Sequence, residues 1–475
     1  MAKTSSIFSK KKKIEEETHE KEVVSQEMDE ISPTDEKTNS TKKRKFVIVT
    51  EDFTGLGWAK KLQHEGNDVI LAYKLKDDDD MSKEAKMIGL GIVEVMELDE
   101  VFKDRKSYKD WYWIFDMNIY TDMAKTLNDE DFKVLGGQEI SEKLENDRDF
   151  AKDLMEKYGI KSPPTHEFTS IEDGLKFLEE NSEKAYVFKP DEPKGIVCTY
   201  VPDCEKSAQA NKELSVYLSS IGDAGTYILQ ERIKGVEANF EVWFHKGKPF
   251  FAMCDIECKK KLNQDLGGMV GCSQDINFAI PLECKAIKST IGKLYEYYKD
   301  LKYTGFVDAN VIVYDNQNYY LETCNRFGYN SHPNIFLSIS KVPTGELLAS
   351  IIDGDIHDFY DKIRFGFGAS ATLYIDSPKQ GLPIFIEDDM EDNFYMFDGY
   401  EEDGQLFMSG YSNEIGIVTA HGYTIKEAAE EMIEKAKGIR FPMRGMRSDL
   451  DRNDYHSSPQ SRFDALDIMD YFDKI

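Results

Sequence analysis

Residues 302–328, KYTGFVDANVIVYDNQNYYLETCNRFG, hold the densest concentration of groups able to do chemistry. The apolar, β-branched run GFVDANVIVYD, a turn at Asn316-Gln317-Asn318 and the return YYLETCNRFG predict an antiparallel hairpin. Such a hairpin would present Asp308 and Glu322 from neighbouring positions, beside an Asn and an Arg. Oxygen ligands of this kind suit Mg²⁺, which keeps part of its water shell and is completed by substrate phosphates. A hairpin whose acids merely face water would have the same sequence, and this stretch alone does not separate the two readings.

A hairpin of this kind needs a sheet to carry it, and 475 residues leave room for two to four modules. A hydrophobic content of 40% with 12% aromatic residues is enough for folded cores. The net charge of −29 opposes generic nucleic-acid binding, which needs clustered Lys and Arg to release counterions. The 7 cysteines lack C-x-x-C pairs and histidines at zinc spacing, so a reduced, cytoplasmic protein is expected. The start MAKTSSIFSKKKK has no apolar h-region, and no stretch approaches the roughly 18 apolar residues of a membrane span. Neither secretion nor membrane insertion is expected.

Taken in order, residues 1–45 alternate Lys and Glu runs and bury too little to offset ordering entropy, so a disordered tail is predicted. From Lys45 the texture changes: KFVIVTED, DVILAY, WYWIFDM and KVLGG are strands around a helix TGLGWAKKLQHEG, giving a Rossmann-like α/β domain over 46–137. The Gly55-x-Gly57 pair lacks the third glycine of a dinucleotide loop. Asp77–Asp80 form a solvated loop. Residues 138–165 are helical up to Gly159 and stop at Pro163-Pro164. Then Lys189 ends an apolar strand, where its ammonium can reach a phosphate above the sheet edge. Residues 340–365 are helical, with Leu347, Leu348, Ile351 and Ile352 at core spacing. Short strands follow from Ala371, and Thr424 with Glu427 forms a capping box for IKEAAEEMIEKAKGI. Residues 453–475 are polar, with one weak aromatic helix and no assigned role.

Several of these segments resemble the phosphoribosylamine–glycine ligases, a family of ATP-grasp enzymes, over most of 46–452. YLETCNRFG is similar to EFNCRFGDPE, TYILQERIKGVEANFEVWFHKGKPFF to EEFLEGEEVSFFVLVDG, and the end through Arg447-Ser448-Asp449 to the family's C-terminal segment. The resemblance implies an ATP-grasp domain over 138–365, an α/β domain over 366–452 and a tail over 453–475. It further implies that Lys152, Lys189, Lys194 and Gly195 meet the ATP phosphates. Glu231, Arg232 and Ile233 would read adenine by main-chain hydrogen bonds, and Glu237 would accept both ribose hydroxyls. Gly267, Gly268 and Met269 would approach the amino-acid and acyl-phosphate region. Lys189 and Arg326 are the implied catalytic groups, and Asp308, Glu322 and Asn325 the ligands of Mg²⁺ or Mn²⁺.

The fold class expected is therefore α/β with α+β subdomains, arranged as an ATP-grasp fold. The implied activity is ATP-dependent C–N bond formation in purine biosynthesis, with ATP activating a glycine-like amino acid that a small-molecule amine attacks. Three departures mark this chain. TEDFTGLGWA stands where the family has GSGGREHA, the phosphate loop DEPKG is short, and GYNSHPN replaces GDPE. They leave two further readings, a ligase of the same fold acting on a different amine, such as a modified nucleotide, and a non-catalytic nucleotide-binding relative. At the metal motif Cys324 shares the register of Glu322, and Asn325 falls on the opposite face of a regular strand. A bulge would have to return it, or Asp308 to replace it.

Overall fold

The computed structural model describes residues 42–74, 82–191, 197–202, 204, 206–455 and 457–473. Nearly all of the expected leader, the run Asp77–Asp80, and Lys194 with Gly195 lie outside the described residues.

Short apolar runs form β1 (Lys45–Val49), β2 (Asp68–Tyr73), β3 (Glu94–Glu97), β4 (Tyr112–Phe115) and β5 (Lys133–Leu135). They pair in parallel in the order β3-β2-β1-β4-β5. Helix α1 (Gly55–His64) packs on this sheet with Leu62 buried, and its Trp58 is buried among Phe327, Phe336 and Tyr395. Both faces are covered, which is why β1 and β2 read as continuous hydrophobic runs.

The helical stretch after Gly137 is two helices, α2 (Glu139–Asn146) and α3 (Arg148–Lys157), broken at Asp147, whose side chain accepts from Phe150 N and caps α3. A small antiparallel sheet follows, with β6 (Thr165–Phe168), β7 (Tyr186–Pro190) and β8 (Tyr227–Glu231) in the order β6-β8-β7. Helices α4 (Ile171–Glu180) and α5 (Ser207–Ile221) cover it with Leu178, Leu214 and Leu218.

The large sheet is built on long strands: β9 (Val236–His245), β10 (Lys248–Leu262), β11 (Leu266–Ala279), β12 (Gly305–Tyr314) and β13 (Gln317–Cys324). The hairpin that opened the sequence analysis is β12–β13. Its turn is Asp315-Asn316, both at positive φ (49° and 59°), one residue earlier than expected. Asp and Asn tolerate the left-handed region that a two-residue hairpin turn demands, so either neighbouring pair was chemically eligible.

The module boundary expected at 365/366 is not a break in the sheet. After α6 (Thr344–Asp353), strand β14 (Phe367–Ile375) pairs directly with β11 from Gln274↔Ala371 to Asn277↔Gly368. With β19 (Glu414–Gly422) and β16 (Phe394–Met396), the order of the large sheet becomes β13-β12-β9-β10-β11-β14-β19-β16, while β15 (Pro383–Ile386), β17 (Tyr400–Glu402) and β18 (Gln405–Phe407) pair in a separate small sheet. Helix α7 (Ile425–Ala436) carries the expected capping box and buries Ile425, Ala429 and Met432. The N-terminal sheet is tied in as well: Glu65 accepts from the backbone of Thr344 (2.7 Å) and Gly345 (2.9 Å) at the start of α6.

The chain after 452 is not a tail. Helix α8 (Pro459–Ile468), capped by Ser458, lies against β9 and β10, and Leu466, Tyr471 and Phe472 are fully buried. Phe463 packs on Phe278, Phe367 and Phe472. The segment is apolar only at spaced positions, and its partners lie far away in sequence.

Candidate active site

Between the small and the large sheet lies a cavity of about 2060 Å³. Of the residues singled out from the sequence, Lys152, Lys189, Glu231, Arg232, Ile233, Glu237, Met269, Asp308, Glu322 and Arg326 line it. Gly267, Gly268 and Asn325 are not among its lining residues.

One side of the cavity is basic. Arg148 and Lys152 project from α3, and Lys189 stands near the end of β7. Arg148 Nη1 donates to Pro190 O (2.9 Å) and lies 3.6 Å from Asp191 Oδ1. Burial lowers the pKa of the Lys189 ammonium, while Glu322 opposes that shift.

The floor, on the large sheet, is acidic. Strand alternation aims Glu237, Asn239 and Glu241 of β9, Asp255, Glu257 and Lys259 of β10, Asp308 and Asn310 of β12, and Glu322 of β13 into the cavity. Lys259 is their central cation, with Nζ 2.8 Å from Glu237, 3.7 Å from Glu257 and 3.7 Å from Glu322. Burial disfavours charge on Glu237, yet Lys259, aided by Arg462 and Asn310, holds its carboxyl down at about 2. The deeper acids are less compensated, with Lys259 acting on Asp308 only after burial and the neighbouring acids. Burial, then mutual repulsion, pushes Asp255 and Asp308 well above the carboxylate range, and burial lifts Glu241 to about 8 against a hydrogen bond from Trp243. Behind Glu241 stands fully buried His332, whose Nδ1 accepts from Gly328 N (2.8 Å), leaving Nε2 to face Glu241 at 3.4 Å.

These residues fit a hard cation. Asp255 Oδ1, Asp308 Oδ1 and Asn310 Oδ1 are buried without a hydrogen-bond partner, and orphaned oxygens among uncompensated acids favour an oxygen-coordinated divalent ion. Among the described residues, no three His, Cys, Asp or Glu side chains are already gathered around a single metal position. The register refines the expected set. Asp308 pairs with Cys324 and Asn310 with Glu322, so these four share one face. The irregularity in the hairpin falls between Val311↔Tyr320 and Asn310↔Glu322, and it does not bring Asn325 round. Asn325 is buried and does not line the cavity, so the structure does not bring it beside the other expected ligands; Asn310 is the amide that shares the face of Asp308 and Glu322. The Cys324 thiol is raised by burial and stays neutral, a poor partner for a hard ion.

Arg326 is partly buried beside the floor. Its Nε donates to Glu145 Oε1 (2.9 Å), and its guanidinium lies over the Tyr329 ring at 4.7 Å. At the opposite end of the cavity, two of the three expected adenine-reading N–H groups are already used. Glu231 N donates to Pro164 O and Arg232 N to Ala185 O, both at 2.8 Å, while Ile233 N makes no backbone bond among the described residues. The Arg232 side chain turns away to the carbonyls of Pro202 and Cys204. The glycine-methionine loop is the exposed tip of the β10–β11 hairpin. Gly267 has φ +80° and needs to be glycine for that reason, but a Cβ on Gly268 would meet nothing within 4 Å.

Sequence reasoning missed Asn310, Glu241, Asp255 and Glu257, and gave the helix within 453–475 no role. Alternation by two from Asp308, Glu237 and Lys259 would have found the strand residues. For the packing of α8 against β9 and β10 no local signal existed.

Residues 146–331 match the family model described as phosphoribosylglycinamide synthetase, ATP-grasp (A) domain. Among curated relatives, the phosphoribosylamine–glycine ligase of Lactococcus lactis is 23% identical over 319 residues, covering 64% of this chain and 74% of that protein. The enzyme of the same name from Methanobrevibacter smithii is 25% identical over 338 residues, covering 64% and 72%. The crystal structure of phosphoribosylamine–glycine ligase from Thermotoga maritima superposes with a TM-score of 0.61 at 17% identity, covering 85% of this chain and 99% of that one. The biotin carboxylase domain of Hydrogenobacter thermophilus 2-oxoglutarate carboxylase, solved with MgADP and bicarbonate, gives 0.56 at 12% identity, covering 85% and 92%. The chain has the ATP-grasp fold, and its sequence relatives are ATP-grasp ligases at low identity.

Proposed function

We propose that this ATP-grasp protein is an ATP-dependent carboxylate–amine ligase, with glycine as the acid by analogy to its relatives. The observation that carries the reading is the convergence of Lys152, Lys189, Glu237, Asp308 and Glu322, from five separate elements, on one cavity. In this reading ATP lies between the two sheets. Ile233 N–H and the apolar side chains of Val187, Ile228 and Leu321 receive the adenine, and Glu237 accepts the ribose hydroxyls. Lys152, Lys189 and Arg148 receive the phosphates as point charges and hydrogen-bond donors. Asp308, Glu322 and Asn310 would hold Mg²⁺, which when bound neutralises charge on the phosphate oxygens. A carboxylate oxygen of the acid bonds to the γ-phosphorus as ADP leaves. The amine nitrogen then bonds to the acyl carbon, phosphate leaves and the amine gives up a proton. Arg326, fixed by Glu145, faces the cavity where the acid's negative charge would sit. The chain's contribution is orientation and charge compensation, with no covalent enzyme intermediate.

A second reading concerns the amine. The N-terminus of α1, at the carboxyl edge of the parallel sheet, is where a phosphate group would seat. Here that place holds the chain's own carboxylates. The Thr54 hydroxyl lies 2.8 Å from Asp52 Oδ1 and 3.0 Å from Asp116 Oδ2, and Tyr329 donates to Asp52 Oδ2 at 2.6 Å. Asp52 opposes a phosphosugar and the Asp116 carboxyl occupies the place beside it, which favours an amine without a phosphate in that position.

The test is independent of the amine. With Mg·ATP, glycine and hydroxylamine as a surrogate nucleophile, a ligase releases ADP and accumulates a hydroxamate. If a panel of small carboxylic acids yields no hydroxamate while ATP still binds, the protein is a non-catalytic nucleotide binder.

A further inference from the structure

Strands β9 and β10 are neighbours only as far as Asn239↔Asp255. Beyond that pair they part. β9 continues along β12, with Glu237 opposite Ile312, and β10 continues along β11, with Glu257 opposite Asp275. Where two strands separate inside a sheet, the carbonyls that faced the lost neighbour need other donors.

Arg462 of α8 supplies them. Its Nη2 donates to Glu257 O (2.7 Å), and its Nη1 lies 3.4 Å from Glu237 O, so one planar guanidinium spans the gap between the two main chains. The same Nη2 lies 3.7 Å from Cys258 Sγ. The helix carrying it is anchored at both ends. Ser457 bonds Asp265 before it, and Met469 O accepts from Lys285 Nζ (2.9 Å) after it. Ser461, Arg462 and Ala465 border the cavity itself. The two residues tied through their backbones are also the two that flank Lys259 through their side chains. Residues 459–468 lie outside the span matched by the family model.

We propose that Arg462 is a positioning residue for ribose recognition: by bridging β9 and β10 where they part, it fixes Glu237 at the place from which its carboxylate can accept the ribose hydroxyls. The proposal rests on the reading of Glu237 given above. A purely structural strut would support the whole sheet and affect every nucleotide alike, whereas a positioning residue affects only ligands that Glu237 can read.

The experiment compares ATP with 2′,3′-dideoxy-ATP by titration calorimetry on the full chain, in the parent, Arg462→Lys, Arg462→Ala and Glu237→Gln. The parent should prefer ATP by at least tenfold. Arg462→Ala should lose about tenfold in ATP affinity while dideoxy-ATP binding stays within twofold, matching Glu237→Gln. Arg462→Lys, which keeps a donor but not the fork, should fall between and serves alone if the alanine variant does not fold. Equal losses for both nucleotides, or no loss for either, in a parent that discriminates would overturn the role of Arg462. A parent that binds both nucleotides equally would remove the ribose reading of Glu237, and this proposal with it.

Discussion

The two sides of the cavity are built on different electrostatic terms. Two of its cations are half-exposed and keep partners, Arg148 with Pro190 O and Asp191 and Lys152 at 4.0 Å from Glu156, whereas Lys189 is set deeper and burial lowers its pKa. Its floor holds carboxylates that are buried, crowded and in part unpartnered. Half-exposed cations cost little to maintain, whereas a buried acid without a counter-charge raises the free energy of the fold until a proton or a cation arrives. The basic side is therefore ready for an anion in the free protein, while the floor is completed only by its ligand. A nucleotide triphosphate with a divalent ion satisfies both at once.

Removing the basic side should have the largest effect. Lys189→Ala is expected to reduce ATP-dependent hydroxamate formation by the equivalent of about 2–5 kcal/mol with an unchanged melting temperature. An early-melting variant with proportionate activity would mean that Lys189 is structural and the comparison wrong.

A control for buried acid without any ligand is Asp116. Burial, then the nearby Asp52, raises its carboxyl to about 8, and it lies beneath α1, outside the cavity lining. Because this pKa is above the unfolded value, the folded chain holds a proton that the unfolded chain releases as pH rises past about 4. The resulting penalty grows from there and is complete above about 8. Asp116→Asn should therefore lose less stability than the parent between pH 5 and 8, by on the order of 2–3 kcal/mol in urea unfolding. Parallel stability curves would show that Asp116 does not titrate as described.

On the floor, Asp308→Asn should raise the Mg²⁺ concentration needed for ATP binding roughly tenfold, about 1.4 kcal/mol, in calorimetric titrations at several Mg²⁺ levels. Unchanged Mg²⁺ dependence would take Asp308 out of the ligand set. The smallest change is expected for Cys324→Asn. Its neutral thiol contributes nothing to a hard ion, so affinity should stay within about threefold or tighten, and a large loss would assign Cys324 a role in the site.

The elements that position the site were legible where periodicity is local. Asp308 and Glu322 on one face, Lys189 near a strand end and the Thr424 capping box all follow from patterns of two to four residues. Asn325 illustrates the limit from the other direction, since plain alternation already turned it away from the metal and only analogy held it there. What was not legible depends on partners distant in the chain. Phe463 and Phe472 look like surface aromatics until Phe278 and Phe367 are brought beside them. The pairing of Gln274–Asn277 with Gly368–Ala371 leaves no mark in either segment, because both sequences would suit an edge strand equally well.

That seam bears on how the protein is made. Gln274 and Asn277 are fully buried under β14, yet β11 leaves the ribosome well before β14 does. At roughly 5–20 residues per second, its outer edge waits for seconds with unpaired backbone groups exposed. A nascent chain released early, or a fragment cut after α6, would keep the whole hairpin β12–β13 and still present a bare edge able to recruit a second copy. The nucleotide-binding floor is therefore vulnerable to misassembly until the last third of the protein has been synthesised.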